Sequence, residues 1–327
     1  MINILFLSVG RRVELIQEFI KAKNSRKIEG KILGVDMDPL SPALYFVDNY
    51  YIVPSVKENN YIDKLIEICK KESISLIVPT IDTELYILSE NRNLFEKIGV
   101  NVLISSENVI KISRNKWETY NFFKSLGLKT PKSYIEGMEY AINYPCFIKP
   151  ISGSSSVNAF KVKNEIELEF YKYHIGDYIL QEYINGTEYT IDVFCDFDGN
   201  PIFITPRIRL AVRSGEVIKT KISNEDKLID QVLLIINNLK PKGPLTIQAI
   251  KSFEDNHFYF IEINARFGGG APLSMKAGAN SAEALYDILN GKKLEFKRYA
   301  AKDGLIFLRF DQSIIIEKDE KGNYEKI

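Results

Sequence analysis

Histidine is nearly absent: His174 and His257 are the only two in 327 residues. A histidine-built zinc site or a Ser-His-Asp hydrolase needs one of them beside further chemistry. Both lie in polar, turn-like stretches, so neither chemistry is expected; metal binding through oxygen ligands stays open. Cysteine is also scarce. Cys69, Cys146 and Cys195 are far apart within apolar runs, as small core residues of a chain in a reducing cytoplasm. An excess of one charge is missing, because Lys+Arg and Asp+Glu balance at 43 each. No net field draws the chain to nucleic acid or to an anionic membrane, and neither partner is expected. No stretch reaches the roughly 18 uninterrupted apolar residues of a membrane span. The apolar start, Met1–Leu7, has no basic segment before it and is too short for a signal peptide. A soluble, cytoplasmic protein is expected.

What the chain does have is an ordinary globular composition, 45% hydrophobic and 26% charged, and enough length for two or three packed units. The first ~110 residues alternate strand and helix, as a parallel sheet requires. Ile2–Ser8 reads as a buried strand, Val13–Ile20 as a helix, Lys31–Asp36 as a second strand. Ile62, Leu65, Ile66 and Cys69 give Tyr61–Lys71 an amphipathic helical face. Strand Ser75–Pro79, helix Thr83–Ile98 and strand Val100–Ile104 follow. Gly10 and Asp36 mimic a dinucleotide site, but one glycine stands where three are needed for close approach to a pyrophosphate. A Rossmann-like scaffold closing one side of a cleft fits better. After a helix over Arg114–Leu126, the segments become shorter and strand-like, with hairpin turns at Asp198-Gly199-Asn200 and Glu254-Asp255-Asn256. Helices are expected over Glu225–Leu239, Leu273–Ala277 and Ser281–Leu289. The charged end, Glu317–Ile327, is expected to fray.

Four groups of residues carry chemistry. Lys149 ends a buried strand before Ser152-Gly153-Ser154-Ser155-Ser156, where an ammonium, backbone N–H groups and small hydroxyls suit phosphate. Gln181-Glu182-Tyr183-Ile184-Asn185-Gly186-Thr187-Glu188 is a strand-turn-strand whose backbone can pair with a purine edge and whose Glu188 can accept from ribose; a solvated turn fits the same residues. Gln248 faces a partner strand on which Glu262, Asn264 and Arg266 alternate toward one side, with Ile261 and Ile263 toward the core. One carboxylate and two amide oxygens suit Mg²⁺ held partly by phosphates. Gly268-Gly269-Gly270 then allow close backbone approach to a ligand. Finally, Arg207, Arg209 and Arg213 offer planar forks to a carboxylate or acyl phosphate, although a solvated basic strand face fits equally well.

Taken in this order, the four groups resemble the ATP-grasp family, most closely its carbamoyl phosphate synthetase large-subunit branch, from Gly10-Arg11-Arg12 to about Leu289. The resemblance implies an α/β and α+β chain: a Rossmann-like N-terminal domain followed by a two-part ATP-grasp domain. The boundaries expected are 1–112 for the first domain, 113–183 for a lid with its linker helix, 184–312 for the C-terminal subdomain, and 313–327 for a charged tail. It implies ATP between lid and C-terminal subdomain, with Lys116 and Lys149 on phosphate. Gly153, Ser154, Ser155 and Ser156 would close over the phosphates, and Gln181, Glu182, Tyr183 and Ile184 form the adenine hinge. Glu188 is then the ribose ligand, and Gln248, Glu262 and Asn264 hold Mg²⁺, with Mn²⁺ as the alternative cation. Arg266, Lys149 and Arg213 are implied in catalysis, while Arg207, Arg209, Arg213 and Gly268–Gly270 line the acceptor end.

The implied reaction is ATP-dependent ligation of a small carboxylate to an amine, by way of an acyl phosphate. Two alternatives stay open: a bicarbonate- or carboxylate-phosphorylating subunit of a split complex, and a non-catalytic ATP-binding module. The chain has one ATP-grasp unit where the synthetase large subunit has two, so carbamoyl phosphate synthesis itself is not expected. Relatives are often dimers, which makes a homodimer the assembly the resemblance suggests.

Overall fold

The computed structural model describes residues 1–139, 143–153, 157–319 and 324–327. The N-terminal domain is a parallel sheet of β1 (Ile4–Leu7), β2 (Ile32–Asp36), β3 (Asn49–Ile52), β4 (Leu76–Pro79) and β5 (Asn101–Val102), in the order β3-β2-β1-β4-β5. Every residue of β1 is fully buried, which is why its sequence is a continuous apolar run rather than an alternating one. The chain winds outward from β1 to β3 and returns to the far side of β1 for β4. The point where the winding reverses therefore lies between β1 and β4. Asp36 is buried and accepts from the Gly10 backbone at 2.8 Å and from Asp38 N at 3.0 Å, so this carboxylate shapes the β1 loop.

Several element boundaries differ from the sequence reading. The helix expected over 83–98 is two, Thr83–Glu90 and Arg92–Glu96. Asn91 lies between them, and its side chain and its backbone N–H both bond the Ile87 carbonyl. The helix expected over 114–126 is Lys116–Ser125, because Asn115 adopts extended backbone and caps it by accepting from Trp117 N and Glu118 N. Arg114 instead closes a separate helix, Glu107–Arg114.

The lid is a four-stranded antiparallel sheet of β6 (Ser133–Ile135), β7 (Cys146–Pro150), β8 (Phe160–Val162) and β9 (Tyr178–Glu182), ordered β6-β9-β7-β8. It has its own small core of Cys146, Ile148, Val162, Leu168 and Leu180. A helix over Glu165–Ile175 covers it, and the sequence pattern does not announce it because Leu168 is its one buried residue. Strands β3 and β6 also escaped the sequence reading; they are four and three residues long.

The C-terminal part is a six-stranded antiparallel sheet of β10 (Gly186–Cys195), β11 (Pro201–Arg213), β12 (Glu216–Ile222), β13 (Gly243–Ser252), β14 (Phe258–Asn264) and β15 (Ile306–Leu308), ordered β14-β13-β10-β11-β12-β15. Leu228, Ile229, Val232, Ile235 and Ile236 of the helix Asp226–Leu239 are fully buried, each contributing ~1.5–3 kcal/mol by leaving water. One apolar core runs from β1 and β2 into β10 and β13, so the N-terminal and C-terminal parts are packed together. The helix Lys116–Ser125 joins that core: the Phe123 ring meets Phe260 at 5.3 Å.

The tail does not simply fray. β16 (Ile316–Lys318) pairs antiparallel with β17 (Tyr324–Lys326), and Tyr50 Oη donates to the Tyr324 carbonyl at 3.0 Å. Its charged side chains are what made it read as frayed; backbone pairing does not depend on them. Among the described residues no helix is long and apolar enough to cross a membrane. Cys69, Cys146 and Cys195 are free and buried, as expected.

Candidate active site

A cavity of about 240 Å³ opens between the lid and the C-terminal sheet. Its lid wall is Phe147, Lys149 and Pro150 from β7 and Gln181–Ile184 from the end of β9. Its floor is Glu188, Arg209, Gln248, Ile250, Ile261 and Glu262. Lys116 and Gly153 close one end, with Lys116 Nζ donating to the Gly153 carbonyl at 2.9 Å. The Asn115 cap sets that lysine at the start of its helix, and Lys116 N bonds the Ile151 carbonyl at 3.0 Å. Ser154, Ser155 and Ser156 lie outside the described residues.

Lys149 is buried, and desolvation pushes its pKa down to about 8. Glu262 opposes that fall by attraction, and Lys116 adds to it by repulsion. Burial lowers the pKa of Lys116 for the same reason, again against the pull of Glu262. Two desolvated ammonium groups facing one carboxylate make a site short of negative charge, as phosphate binding requires.

Glu262 sits directly across from Gln248 in the β13–β14 register. Asn264, two residues on, donates from Nδ2 to Glu262 Oε1 at 2.9 Å, which leaves its amide oxygen as the atom available for ligation. This donor set fits Mg²⁺: oxygen only, with one carboxylate. Among the described residues no cluster of three His, Cys, Asp or Glu is present, and Mg²⁺ held by one carboxylate commonly completes its shell with phosphate oxygens and water. The register shifts between Gln248 and Ala249, and this bulge corrects the expectation for Ile261. It lines the cavity instead of entering the core, while Ile263 is buried as expected.

Beyond Glu262 lies a second cavity of about 130 Å³, lined by Arg12, Thr190, Arg207, Arg209, Glu216, Asn264, Arg266 and Gly268–Gly270. Arg209, Gln248 and Glu262 belong to both cavities and form the partition between them. Arg209 Nε lies 3.2 Å from Glu188 Oε2, and Nη2 donates to the Gly215 carbonyl at 3.1 Å. Arg207 is almost wholly buried and donates from Nε to Asp192 Oδ2 at 2.7 Å, while Ser274 Oγ donates to the same oxygen at 2.5 Å. A Cβ on Gly270 would stand 2.6 Å from Arg207 Nη2, so glycine there is what lets the backbone reach the guanidinium.

Two expectations change here. Arg213 is not brought to the site: it lies at the exposed β11–β12 hairpin end, bound through Nη2 to Asp311 at 2.9 Å. Ser214, Gly215 and Glu216 just beyond it line the second cavity, but the Arg213 side chain itself is exposed and held by Asp311 instead. Gln181 borders the first cavity, but its side chain ties β9 to β6 by donating to Ser133 Oγ at 2.8 Å. Sequence reasoning missed Asp82, whose Oδ2 accepts from Arg266 Nη2 at 2.7 Å, and it gave Arg12 no role. Nothing local marks Asp82, but the rule placing ligands at the carboxyl ends of parallel strands points to both loops.

Comparisons with known proteins match both parts of the chain. Residues 4–103 match the family described as PylC-like, N-terminal domain, and residues 113–270 match the ATP-grasp domain. The 3-methyl-D-ornithine–L-lysine ligase of Methanosarcina barkeri is 26% identical over 274 residues, which are 83% of this chain and 70% of the relative. The biotin carboxylase domain of Hydrogenobacter thermophilus 2-oxoglutarate carboxylase, solved with MgADP and bicarbonate, superposes with a TM-score of 0.73 at 17% identity. It covers 99% of this chain and 83% of that one. An L-amino acid ligase from Bacillus licheniformis gives a TM-score of 0.69 at 16% identity, over 88% of this chain and 74% of its own. The chain carries an ATP-grasp domain over residues 113–270. More narrowly, it is an ATP-dependent ligase of the carboxylate–amine class, with a PylC-like domain in front of its ATP-grasp domain.

Proposed function

We propose that this enzyme activates a small carboxylate, such as that of an amino acid, at the partition formed by Arg209, Gln248 and Glu262, and joins it to an amine. The observation that carries the reading is that partition: the same three side chains wall the lid cavity on one side and the arginine- and glycine-lined cavity on the other. A phosphoryl group passing from a nucleotide in the first cavity to a carboxylate in the second has to cross there.

In this reading the adenine lies against Gln181–Ile184, Glu188 meets the ribose, and Lys116, Lys149 and Gly153 hold the phosphates. Ser154, Ser155 and Ser156 would extend that phosphate contact. Gln248, Glu262 and Asn264 would hold Mg²⁺, which would supply positive charge to neutralise the phosphates; Mn²⁺ suits the same donors. A substrate carboxylate oxygen bonds to the γ-phosphorus as the bond from that phosphorus to the ADP oxygen breaks. Arg209 and Arg266 offset the charge on the transferring group. The amine nitrogen then bonds to the carbonyl carbon, the carbon–oxygen bond to phosphate breaks, and the proton lost from nitrogen leaves with phosphate or solvent. Positioning and electrostatics carry this chemistry, and no side chain acts as a covalent nucleophile.

Phosphate release from Mg-ATP, screened against pools of amino acids and other small carboxylic acids, tests the reading. At least one pool is expected to stimulate release and to yield an amide-bonded product by mass spectrometry. Release stimulated by bicarbonate alone, with no amide formed, would overturn it in favour of a carboxylase-like subunit.

A further inference from the structure

A third cavity, of about 270 Å³, lies where the N-terminal domain meets the C-terminal sheet. Ser8–Arg12 and Ile81 line it from one side, and Glu216, Gly268, Gly269 and Arg309 from the other. It shares Arg12, Glu216, Gly268 and Gly269 with the arginine- and glycine-lined cavity, so the two adjoin along those residues. Its position follows from topology. Ser8–Arg12 follows β1 and Ile81 follows β4, the two strands that flank the reversal of winding, and ligands of open parallel sheets bind in that crevice.

The charges around the cavity are mostly satisfied. Arg309 lies 3.6 Å from Glu14 and 3.7 Å from Glu216, Glu14 also binds Lys276, and Arg11 lies 3.6 Å from Asp311. Arg12 is different. Its Nη2 donates to the Thr80 carbonyl at 3.2 Å, and among the described residues no carboxylate forms an ion pair with it. Glu216 and Asp82 attract it at longer range, Arg266 and Arg309 repel it, and desolvation brings its pKa down to about 10. A half-buried guanidinium with most of its donors unspent is a ready partner for an anion entering the cavity. Nη1 also lies only 3.2 Å from where a Cβ on Gly269 would stand, so the glycine run keeps this face open.

We propose that Arg12 binds the α-carboxylate of the amine substrate, so that the acceptor is an amino acid seated at the domain seam with its nitrogen directed toward the partition. This deepens the ligase reading and rests on it. Arg12 supplies the anion contact, and Glu14 and Glu216 on the same walls disfavour a ligand carrying a second unpaired anion. An amine without a carboxylate leaves Arg12 unpaired and is selected against.

Thermal unfolding of wild type, Arg12→Met and Arg12→Lys is measured with Mg-ADP, alone and with pools of L-amino acids or the corresponding amino-acid amides. Wild type is expected to shift upward with Mg-ADP and further with at least one acid pool, but not with its amides. R12M should keep the Mg-ADP shift, because the nucleotide cavity does not include Arg12, and should need at least ~10-fold more amino acid for the second shift. R12K should fall between them, and R12Q replaces R12M if that variant does not fold. Equal responses to acids and amides, no response of wild type to any acid pool, or an R12M response matching wild type would each overturn the proposal. Loss of the Mg-ADP shift in R12M would also overturn it, by placing Arg12 with the nucleotide. A wild type that ignores Mg-ADP would remove the ligase reading first, and this inference with it.

Discussion

Arg266 and Asp82 are 184 residues apart, yet Arg266 Nε and Nη2 both donate to one oxygen of Asp82, at 3.0 and 2.7 Å. Both side chains are mostly buried, and the pair joins the loop after β4 to the end of β14. The N-terminal domain therefore sets the position of the arginine assigned to the transferring phosphoryl group. Asp82→Ala is expected to cost about 3 kcal/mol of stability in urea denaturation, since it strands a buried cation. It should also lower kcat by about tenfold or more while nucleotide affinity stays near wild type. An unchanged kcat would make the pair purely architectural.

Lys149 gives a pH signature. With its pKa pushed down to about 8, it is charged at pH 7 and loses the charge as pH rises past 8. Mg-ADP affinity measured by calorimetry should fall between pH 7 and 9 in wild type and stay flatter in Lys149→Arg. Linkage fixes the opposite sign for the free protein. The unfolded chain holds this proton up to the ordinary lysine range, so the Lys149 contribution to stability rises with pH above 8.

Glu84 makes a second, separate pH prediction. It is fully buried, accepts from Ser8 Oγ at 2.5 Å and Tyr61 Oη at 2.7 Å, and among the described residues its other oxygen has no hydrogen-bond partner. Desolvation raises its pKa to about 7, with Asp36 adding to the rise and the two hydroxyl donors opposing it. A raised carboxyl pKa stabilises the fold at low pH and loses that contribution as pH climbs through 7. Glu84→Gln keeps an acceptor and should be more stable than wild type at pH 8.5 but not at pH 5.5, by thermal unfolding.

Gly270 tests how tightly the second cavity is built. Its Cβ position lies 2.6, 2.9 and 3.0 Å from three atoms of the Arg207 guanidinium, which Asp192 holds in place. Gly270→Ala should therefore displace Arg207 and reduce kcat/KM for the carboxylate substrate about tenfold or more, with little change for ATP. A variant with wild-type kinetics would mean the guanidinium moves without consequence.

Much of the first cavity's lining was legible in the sequence because it is local. Lys149, Gly153 and Gln181–Ile184 are runs along single strands and their exits, and period two correctly placed Glu262 beside Asn264. Tyr61–Lys71 matched residue for residue because its buried face recurs at helical spacing. The acceptor side was legible only in part. Arg213 shares the β11 sequence pattern with Arg207 and Arg209, and only the hairpin geometry shows that it points to Asp311 instead. Ile261 was misplaced by a bulge, which period-two counting cannot anticipate. Asp82 and Arg12 become site residues only when two domains meet, and no spacing within one segment encodes that contact.

The central claim is tested most directly by following phosphate release from Mg-ATP in wild type and Glu262→Ala, with each amino-acid pool and with bicarbonate. The account predicts release stimulated by at least one amino-acid pool in wild type, and a loss of about 100-fold or more in E262A. Pool-stimulated release that survives in E262A would contradict the assignment of the partition, and silence from wild type across every pool would contradict the ligase itself.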